Sequence, residues 1–227
     1  MIQAVISGYG RMGHMVEAAR ARAGIPCVGK SEDIASFDPD LARESVCIDF
    51  TTPAAFRTHY KALARLFRAV VVGTTGWDDI RDEVVAEFER QGTPMVYASN
   101  FSVGVNVFSA AVDVAAKYLS RAGGYDAYVV EKHHIHKLDA PSGTAKSLAG
   151  VIRSHTGVEP PVASVRVGEL AGTHTVGFEG KADRITLEHE AFSREGFAEG
   201  AVLAARMTEG LTGVHLFKDL FFKEEQR

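Results

Sequence analysis

Cysteine is nearly missing from this 227-residue chain: only Cys27 and Cys47 occur, each inside an apolar, strand-like run. Such positions suit buried thiols and exclude a small secreted scaffold held by disulfides. Long hydrophobic runs are missing too, and none approaches the roughly 20 residues that a membrane-crossing helix needs. The opening MIQAVISGYG carries no basic segment of the kind that starts a secretory signal, so a cytoplasmic location is expected. Charge of one sign is not in excess. Lys and Arg number 25 and Asp and Glu 29, a net charge of −4 that gives no broad attraction to nucleic acid or anionic membrane. No internal repeat, low-complexity tract or long linker interrupts the chain. What is present is a 46% hydrophobic and 24% charged composition, that of a folded globular protein of one large or two small domains.

The first hundred residues alternate strand and helix patterns. Ile2–Ser7, Pro26–Gly29, Val46–Phe50, Ala69–Val72 and Pro94–Ala98 read as short strands. Between them, helical patterns cover His14–Ala23, Pro53–Phe67 and Asp78–Arg90. Strand and helix taking turns predicts a parallel sheet with right-handed crossovers. Near residue 101 the pattern changes. A long helix over Gly104–Leu119 is followed by strand-like runs at Asp126–Lys132, Val162–Gly168, His174–Phe178 and Arg184–Ala191. One helix, Gly143–Ser154, falls among them, and Phe197–Thr208 is the last, ahead of a tail ending in LFKDLFF. The second half thus reads as a mixed sheet with helices on one face.

Gly8-Tyr9-Gly10-Arg11-Met12-Gly13 fits G-x-G-x-x-G directly after the first strand and at the opening of the first helix. In that setting the first glycine permits a tight turn and the second admits a pyrophosphate to the backbone. The third lets helix and strand pack closely. Helix N–H groups and the positive end of the dipole then face the phosphates. Glu32 stands 19 residues past Gly13, where an acid holds the adenine ribose hydroxyls. Asp33 competes for that role, and Lys30 and Ser31 are placed to meet a 2′-phosphate. NADH and NADPH therefore both remain open. Asp49-Phe50-Thr51-Thr52, Gly73-Thr74-Thr75-Gly76 and Ala98-Ser99-Asn100-Phe101 each follow a strand, at the carboxyl edge where open α/β sheets bind ligands.

The densest polar constellation is Glu131-Lys132-His133-His134-Ile135-His136-Lys137-Leu138-Asp139-Ala140-Pro141-Ser142-Gly143-Thr144. Ser142 reads as the N-cap of the following helix, with the Gly143 and Thr144 amides at its positive end. Lys137 adds a cation, and His133, His134 and His136 add groups that titrate near neutrality. Many donors with few acceptors suit an anionic substrate, a carboxylic acid. A metal site is disfavoured, because no His-x-x-x-His helix spacing or thiolate cluster accompanies the histidines and the lysines repel a cation. A redox sensor that binds a dinucleotide without turnover is the rival of another class; it leaves the donor cluster without a purpose.

The run HHIHKLDAPSGTA resembles the signature of the 4-hydroxy-tetrahydrodipicolinate (dihydrodipicolinate) reductase family of lysine and diaminopimelate biosynthesis. GYGRMG, DFTTPAAF, VVGTTGW, ASNFSVGVNVF and GTHTVGFEG resemble further blocks of that family in the same order. The resemblance implies an α/β fold, with a Rossmann-type domain over 1–101 and about 195–227. A mixed-sheet α+β domain over 102–194 would bind substrate and build a homotetramer. It implies NADH- or NADPH-dependent reduction of a small dicarboxylate, with His133 as the acid–base residue and Lys137 as a second proton donor. Substrate would be bound by His134, Gly143, Thr144 and Arg194. Cofactor contacts would fall on Gly8, Tyr9, Gly10, Arg11, Met12, Gly13 and Glu32, on Gly73, Thr74 and Thr75, and on Ala98, Ser99, Asn100 and Phe101. No metal, membrane or nucleic-acid partner is implied. Two departures from the family pattern stand out: the glycine loop is one residue short before Gly8, and the stretch between Ser154 and Arg166 is shortened.

Overall fold

The computed structural model describes residues 2–223; residues 1 and 224–227, at the two ends of the expected dinucleotide domain, lie outside the described residues. Two compact units are formed, one from residues up to Ser102 together with those from Glu195 onward, the other from Val103–Arg194.

The first unit runs β1 (Gln3–Ser7), α1 (Arg11–Arg22), β2 (Cys27–Ser31), a short α2 (Pro39–Arg43), β3 (Ser45–Asp49), α3 (Pro53–Leu66), β4 (Ala69–Val72), α4 (Arg81–Gln91) and β5 (Met95–Tyr97). The second unit contributes α5 (Val103–Ala122), β6 (Asp126–His133), α6 (Gly143–Thr156), β7 (Val162–Arg166), β8 (Gly172–Glu179) and β9 (Arg184–Ala191). The chain then returns to the first unit with α7 (Glu195–Met207), β10 (Val214–Leu216) and α8 (Phe217–Phe221).

The six strands of the first unit are all parallel, in the order β10-β5-β4-β3-β1-β2. Every residue of β3 and β4 is buried, as a continuous apolar run predicts for a sheet covered on both faces. On one face Phe56, Tyr60 and Leu63 of α3 pack with Trp77, Val84 and Phe88. The other face is covered by α1 and by α7, which lies against β3 and β4. Strand order reverses between β1 and β3, and a doubly wound sheet binds ligand at that crevice.

Two expectations needed adjustment. The helix expected over Asp78–Arg90 opens as a 3₁₀ turn at Asp78–Ile80, and α4 proper begins at Arg81. The tail before LFKDLFF carries the sixth strand, β10, paired in parallel with β5. Three residues are too few to show a period of two, so only the partner strand reveals it.

A buried carboxylate ties the loops of this sheet together. Asp49, at the end of β3, has no solvent exposure. It accepts hydrogen bonds from Ser7 Oγ at 2.6 Å and Thr74 Oγ1 at 2.6 Å, and Thr51 Oγ1 lies 3.2 Å from Oδ2. His59 Nε2 of α3 is 3.1 Å from Oδ1. Residues from three strand ends and one helix therefore share one acceptor.

In the second unit the sheet order is β7-β6-β8-β9; β6 and β7 are parallel and the other neighbours antiparallel. Phe108, Val112 and Ala116 of α5 and Leu148 and Ile152 of α6 cover one face, against Val129, Val176 and Phe178. Buried residues of β6 alternate as Val129, Glu131 and His133, so one face of this strand passes from apolar core to titratable groups.

Removing the shared acceptor leaves the buried Ser7 and Thr74 hydroxyls, the half-buried Thr51 hydroxyl and the His59 imidazole without it. Asp49→Ala is expected to destabilise the first unit by about 3 kcal/mol or more, read as a lowered thermal transition, and a wild-type transition would show that the knot carries no stability.

Candidate functional site

The glycine-rich loop follows β1 and its first helical residue is Arg11. Gly8 has φ +82, and a Cβ there would lie 2.4 Å from the Phe50 carbonyl oxygen. A Cβ on Gly13 would lie 2.3 Å from the Gly8 oxygen, so helix and loop touch at that point. Gly10 differs. Its φ of −81 suits any residue, and a Cβ there would meet nothing within 4 Å. Nothing within the protein requires glycine at 10, whereas a phosphate approaching the start of α1 does. The loop thus fits a dinucleotide.

The expected neighbours of that loop are brought to it. Glu32, just past β2, accepts from the Tyr9 backbone N–H at 2.5 Å. Lys30 lies over the Tyr9 ring, donates to its hydroxyl at 3.0 Å, and pairs with Glu17 of α1 at 2.6 Å. Tyr9 also donates its hydroxyl proton to Glu17. The loop after β4 is joined to the one after β3, for Thr51 N–H donates to Thr74 Oγ1 at 2.8 Å. A Cβ on Gly73 would strike the Phe50 ring, which in turn meets Phe101 edge-on at 6.4 Å. Asn100 turns back on its own loop, accepting the Ser102 N–H at 2.9 Å. Gly8–Gly13, Glu32, Gly73–Thr75 and Ala98–Phe101 all follow the carboxyl ends of neighbouring parallel strands.

The histidine segment lies in the second unit, between β6 and α6. His133 ends β6 and is buried, with Nδ1 against a carboxylate oxygen of Glu131. Glu131, wholly buried, receives the Arg166 guanidinium as a fork, Nη2 to Oε1 at 2.8 Å and Nη1 to Oε2 at 2.9 Å. Ser142 N–H adds a bond to Oε1 at 3.3 Å. As expected, Ser142 caps α6, its Oγ accepting from Ala145 N–H at 3.2 Å, and the same Oγ lies 3.0 Å from His174 Nε2. His174 meets the His133 ring edge-on at 5.1 Å. Gly143 and Thr144 form the first turn of α6, at the positive end of its dipole. Lys137 pairs with Asp139 at 2.8 Å. His134 is anchored through its N–H to Leu170 O at 2.9 Å, while its buried Nδ1 has no hydrogen-bond partner among the described residues. Arg194, on the turn from β9 into α7, takes no part in this network. Among the described residues no group of three His, Cys, Asp or Glu side chains is disposed to hold a metal ion.

Sequence profiles agree with this geometry. One described as dihydrodipicolinate reductase, C-terminus, matches residues 104–221, and its N-terminal counterpart matches residues 17–101. The chain belongs to the dihydrodipicolinate reductase family. The N-terminal match starts at residue 17, after the glycine-rich loop. Similar curated family members include the 4-hydroxy-tetrahydrodipicolinate reductases of Christiangramia forsetii, 36% identical over 94% of this chain and 95% of that one, and of Paraburkholderia phymatum, 35% identical over 91% and 93%. A dipicolinate-bound dihydrodipicolinate reductase from Paenisporosarcina sp. TG-14 shares the fold with TM-score 0.78, at 22% identity over 95% of this chain and 97% of that one. An amine dehydrogenase from Mycobacterium smegmatis shares it with TM-score 0.67 at 9% identity, over 96% and 95%. Family fold and chain fold therefore coincide: a six-stranded parallel sheet with flanking helices and a separate mixed sheet.

Four residues that the structure places around His133 were given no role from sequence: Glu131, Arg166, Gly172 and His174. A usable signal existed for one of them. Period two in β6 puts Glu131 on the same face as His133, and a carboxylate on a buried face demands a partner. Arg166 reaches it only because β7 pairs with β6 in a register that sets Arg166 beside His133. Gly172 has φ +150, and a Cβ there would lie 2.9 Å from His133 Nε2.

Titration follows from these contacts. Burial alone pushes the Glu131 carboxyl up, but hydrogen bonds from Arg166, Ser164 and His133 outweigh it and hold the group at about 2. Burial lowers His133, with Lys137 and Arg166 adding to the effect and Glu131 opposing it. His174, buried and beside His133, is lowered to about 4. A histidine depressed in the fold stays neutral while its unfolded counterpart, near 6.5, takes up a proton. Stability is therefore full above pH 6.5 and is lost as pH falls from there towards 4. For His174 that loss amounts to about 3 kcal/mol. Thermal unfolding of the second unit between pH 7.5 and 4 is expected to show it, with a shallower pH slope in His174→Gln. An unchanged slope in that variant would assign the loss elsewhere.

Proposed function

We propose that the protein reduces 4-hydroxy-tetrahydrodipicolinate to tetrahydrodipicolinate with loss of water, using NADH or NADPH, in lysine and diaminopimelate biosynthesis. Family membership supports the reaction. The observation that carries the chemistry is the assembly of a buried imidazole, an ammonium group and a helix N-terminus around one short loop, His133 to Thr144.

In this reading the 4-hydroxyl departs as water, leaving a carbon–carbon double bond conjugated to the ring imine. A hydride and a proton then add across that bond, so one proton is consumed overall. When bound, the dihydronicotinamide supplies the hydride. The chain's residues bind, orient and deliver the proton. Gly8, Gly10 and Gly13 admit the pyrophosphate, with Tyr9, Arg11 and Met12 as the remainder of the loop. Glu32, held by the Tyr9 N–H, would hold the adenine ribose, while Gly73–Thr75 and Ala98–Phe101 would hold the nicotinamide end. His133 is the acid–base residue and Lys137 the second donor. A proton on either side chain meets the electron-rich carbon that hydride addition creates, because an acid within hydrogen-bond reach is needed there. The two substrate carboxylates are assigned to His134, to the Gly143 and Thr144 turn at the positive end of α6, and to Arg194.

The Val103–Arg194 unit is assigned substrate binding and the contacts of a homotetramer, for which the exposed Val165, Val167 and Ile185 along its outer strands offer apolar area. Both reactants are small metabolites, and the enzyme is assigned to the cytoplasm.

Mixing the protein with NADH or NADPH and freshly prepared 4-hydroxy-tetrahydrodipicolinate is expected to bleach the nicotinamide absorbance; no turnover with either cofactor would overturn the proposal. His133→Gln is expected to lower kcat with nicotinamide affinity retained. Lys137→Ala is expected to lose about 2–4 kcal/mol of transition-state stabilisation. A near-wild-type kcat/KM in the lysine variant would remove that residue from the mechanism. Pyridine-2,6-dicarboxylate, a flat ring with two carboxylates, is expected to compete with substrate, and failure to compete would argue against a diacid pocket.

A further inference from the structure

We propose that Glu131 and Arg166 are positioning residues for His133: Arg166 fixes the Glu131 carboxylate, which accepts a hydrogen bond from His133 Nδ1–H and so leaves Nε2 of the neutral imidazole as the working atom. The inference rests on the acid–base role of His133 given above, and it adds which nitrogen works and what holds it.

The assignment follows from counting donors. Arg166 has only N–H donors and Glu131, ionised, only acceptors. Glu131 Oε1 accepts from Arg166 Nη2 and Ser142 N–H, and Oε2 accepts from Arg166 Nη1 and faces His133 Nδ1. With the further bond from the Ser164 side chain, every other group facing the carboxylate is a donor. The contact at Nδ1 is a hydrogen bond only if Nδ1 carries the proton. A neutral ring protonated there has its lone pair on Nε2.

The Nε2 edge is also where space has been left. Residue 172 is glycine, and a Cβ at that position would stand 2.9 Å from Nε2, nearer than van der Waals contact allows. A side chain at 172 therefore occupies the approach to the nitrogen that the tautomer exposes.

Charged and titratable groups face His133 from each strand and loop packed on it. Glu131 comes from β6, Arg166 from β7, Lys137 from the loop and His174 from β8. The two cations and the dry surroundings disfavour an imidazolium, and only Glu131 favours one. The ring thus rests neutral, accepts a proton at Nε2, and is stabilised by Glu131 for as long as it carries that charge. A carboxylate that orients a histidine and stabilises its charged form is a recurrent device in acid–base sites.

Arg166 has a second task. Its Nε donates to the Lys137 carbonyl at 3.3 Å and its Nη2 to the Asp139 carbonyl at 2.6 Å. One guanidinium thereby holds the imidazole's partner and the backbone that carries the ammonium group. Lysine, with a single nitrogen, has no fork with which to do both.

The test begins with the wild-type chain labelled with ¹⁵N-histidine, using long-range proton–nitrogen correlation at pH 7.5 and His133→Gln to assign the resonances. The expected pattern is a neutral ring protonated on Nδ1. A ring protonated on Nε2 overturns the proposal whether or not the protein reduces the proposed substrate, so this outcome is separate from failure of the proposed function. In the second arm, Glu131→Gln is expected to lower kcat about 10- to 100-fold, with KM and nicotinamide affinity little changed. The alkaline limb of its pH–rate profile is expected to move to lower pH, because the anion that favours the proton-delivering imidazolium is gone, and Glu131→Asp is expected to restore part of kcat. A folded Glu131→Gln chain with wild-type kcat and pH profile overturns the proposal. If that variant does not fold, the wild-type tautomer alone decides.

Discussion

A carboxylate without solvent contact, set between a guanidinium and an imidazole, governs the second unit. Glu131 has zero exposure, and leaving a carboxylate in such a place is costly unless every lone pair has a donor. Arg166, His133 and Ser142 supply those donors, and each belongs to a different piece of the fold. Arg166 brings β7, His133 ends β6, and Ser142 caps α6. Satisfying one buried charge therefore also fixes the histidine ring, the start of the helix and, through the carbonyls of Lys137 and Asp139, the loop between them.

The first unit repeats this device with weaker donors. Asp49 is equally buried, but hydroxyls from Ser7, Thr51 and Thr74 and the ring of His59 surround it. In both units the anion sits at or near a strand's carboxyl end, where the sheet stops and the loops have no apolar core of their own. A shared acceptor holds such loops in register without filling the space a ligand needs. The donors differ in kind: neutral hydroxyls and an imidazole surround Asp49, whereas a guanidinium fork gives Glu131 a fixed orientation.

Local pattern made much of this legible in the chain. Continuous apolar runs such as VCIDF and AVVV foretold buried parallel strands, and the glycine spacing after β1 foretold the turn that the structure shows. The run from His133 to Thr144 announced itself because donors with so few acceptors have no core-packing explanation. Ser142 was legible as a cap for the same local reason, since the group it bonds lies three residues ahead. What escaped was non-local or too short. β10 has three residues and becomes a strand only through its pairing with β5. Arg166 lies 35 residues from Glu131, and His174 lies 32 from Ser142.

The linear chain by itself determined which segments form strands and helices, where the glycine-rich turn falls after β1, and where the titratable donors cluster. Those features depend on periodicity, turn geometry and neighbours a few residues apart. Folding alone decided which nitrogen of His133 is turned to the buried carboxylate, what neutralises that carboxylate, and why residue 172 carries no side chain. Each of those depends on strand register, which sets distant residues side by side, and register is settled by the whole sheet at once.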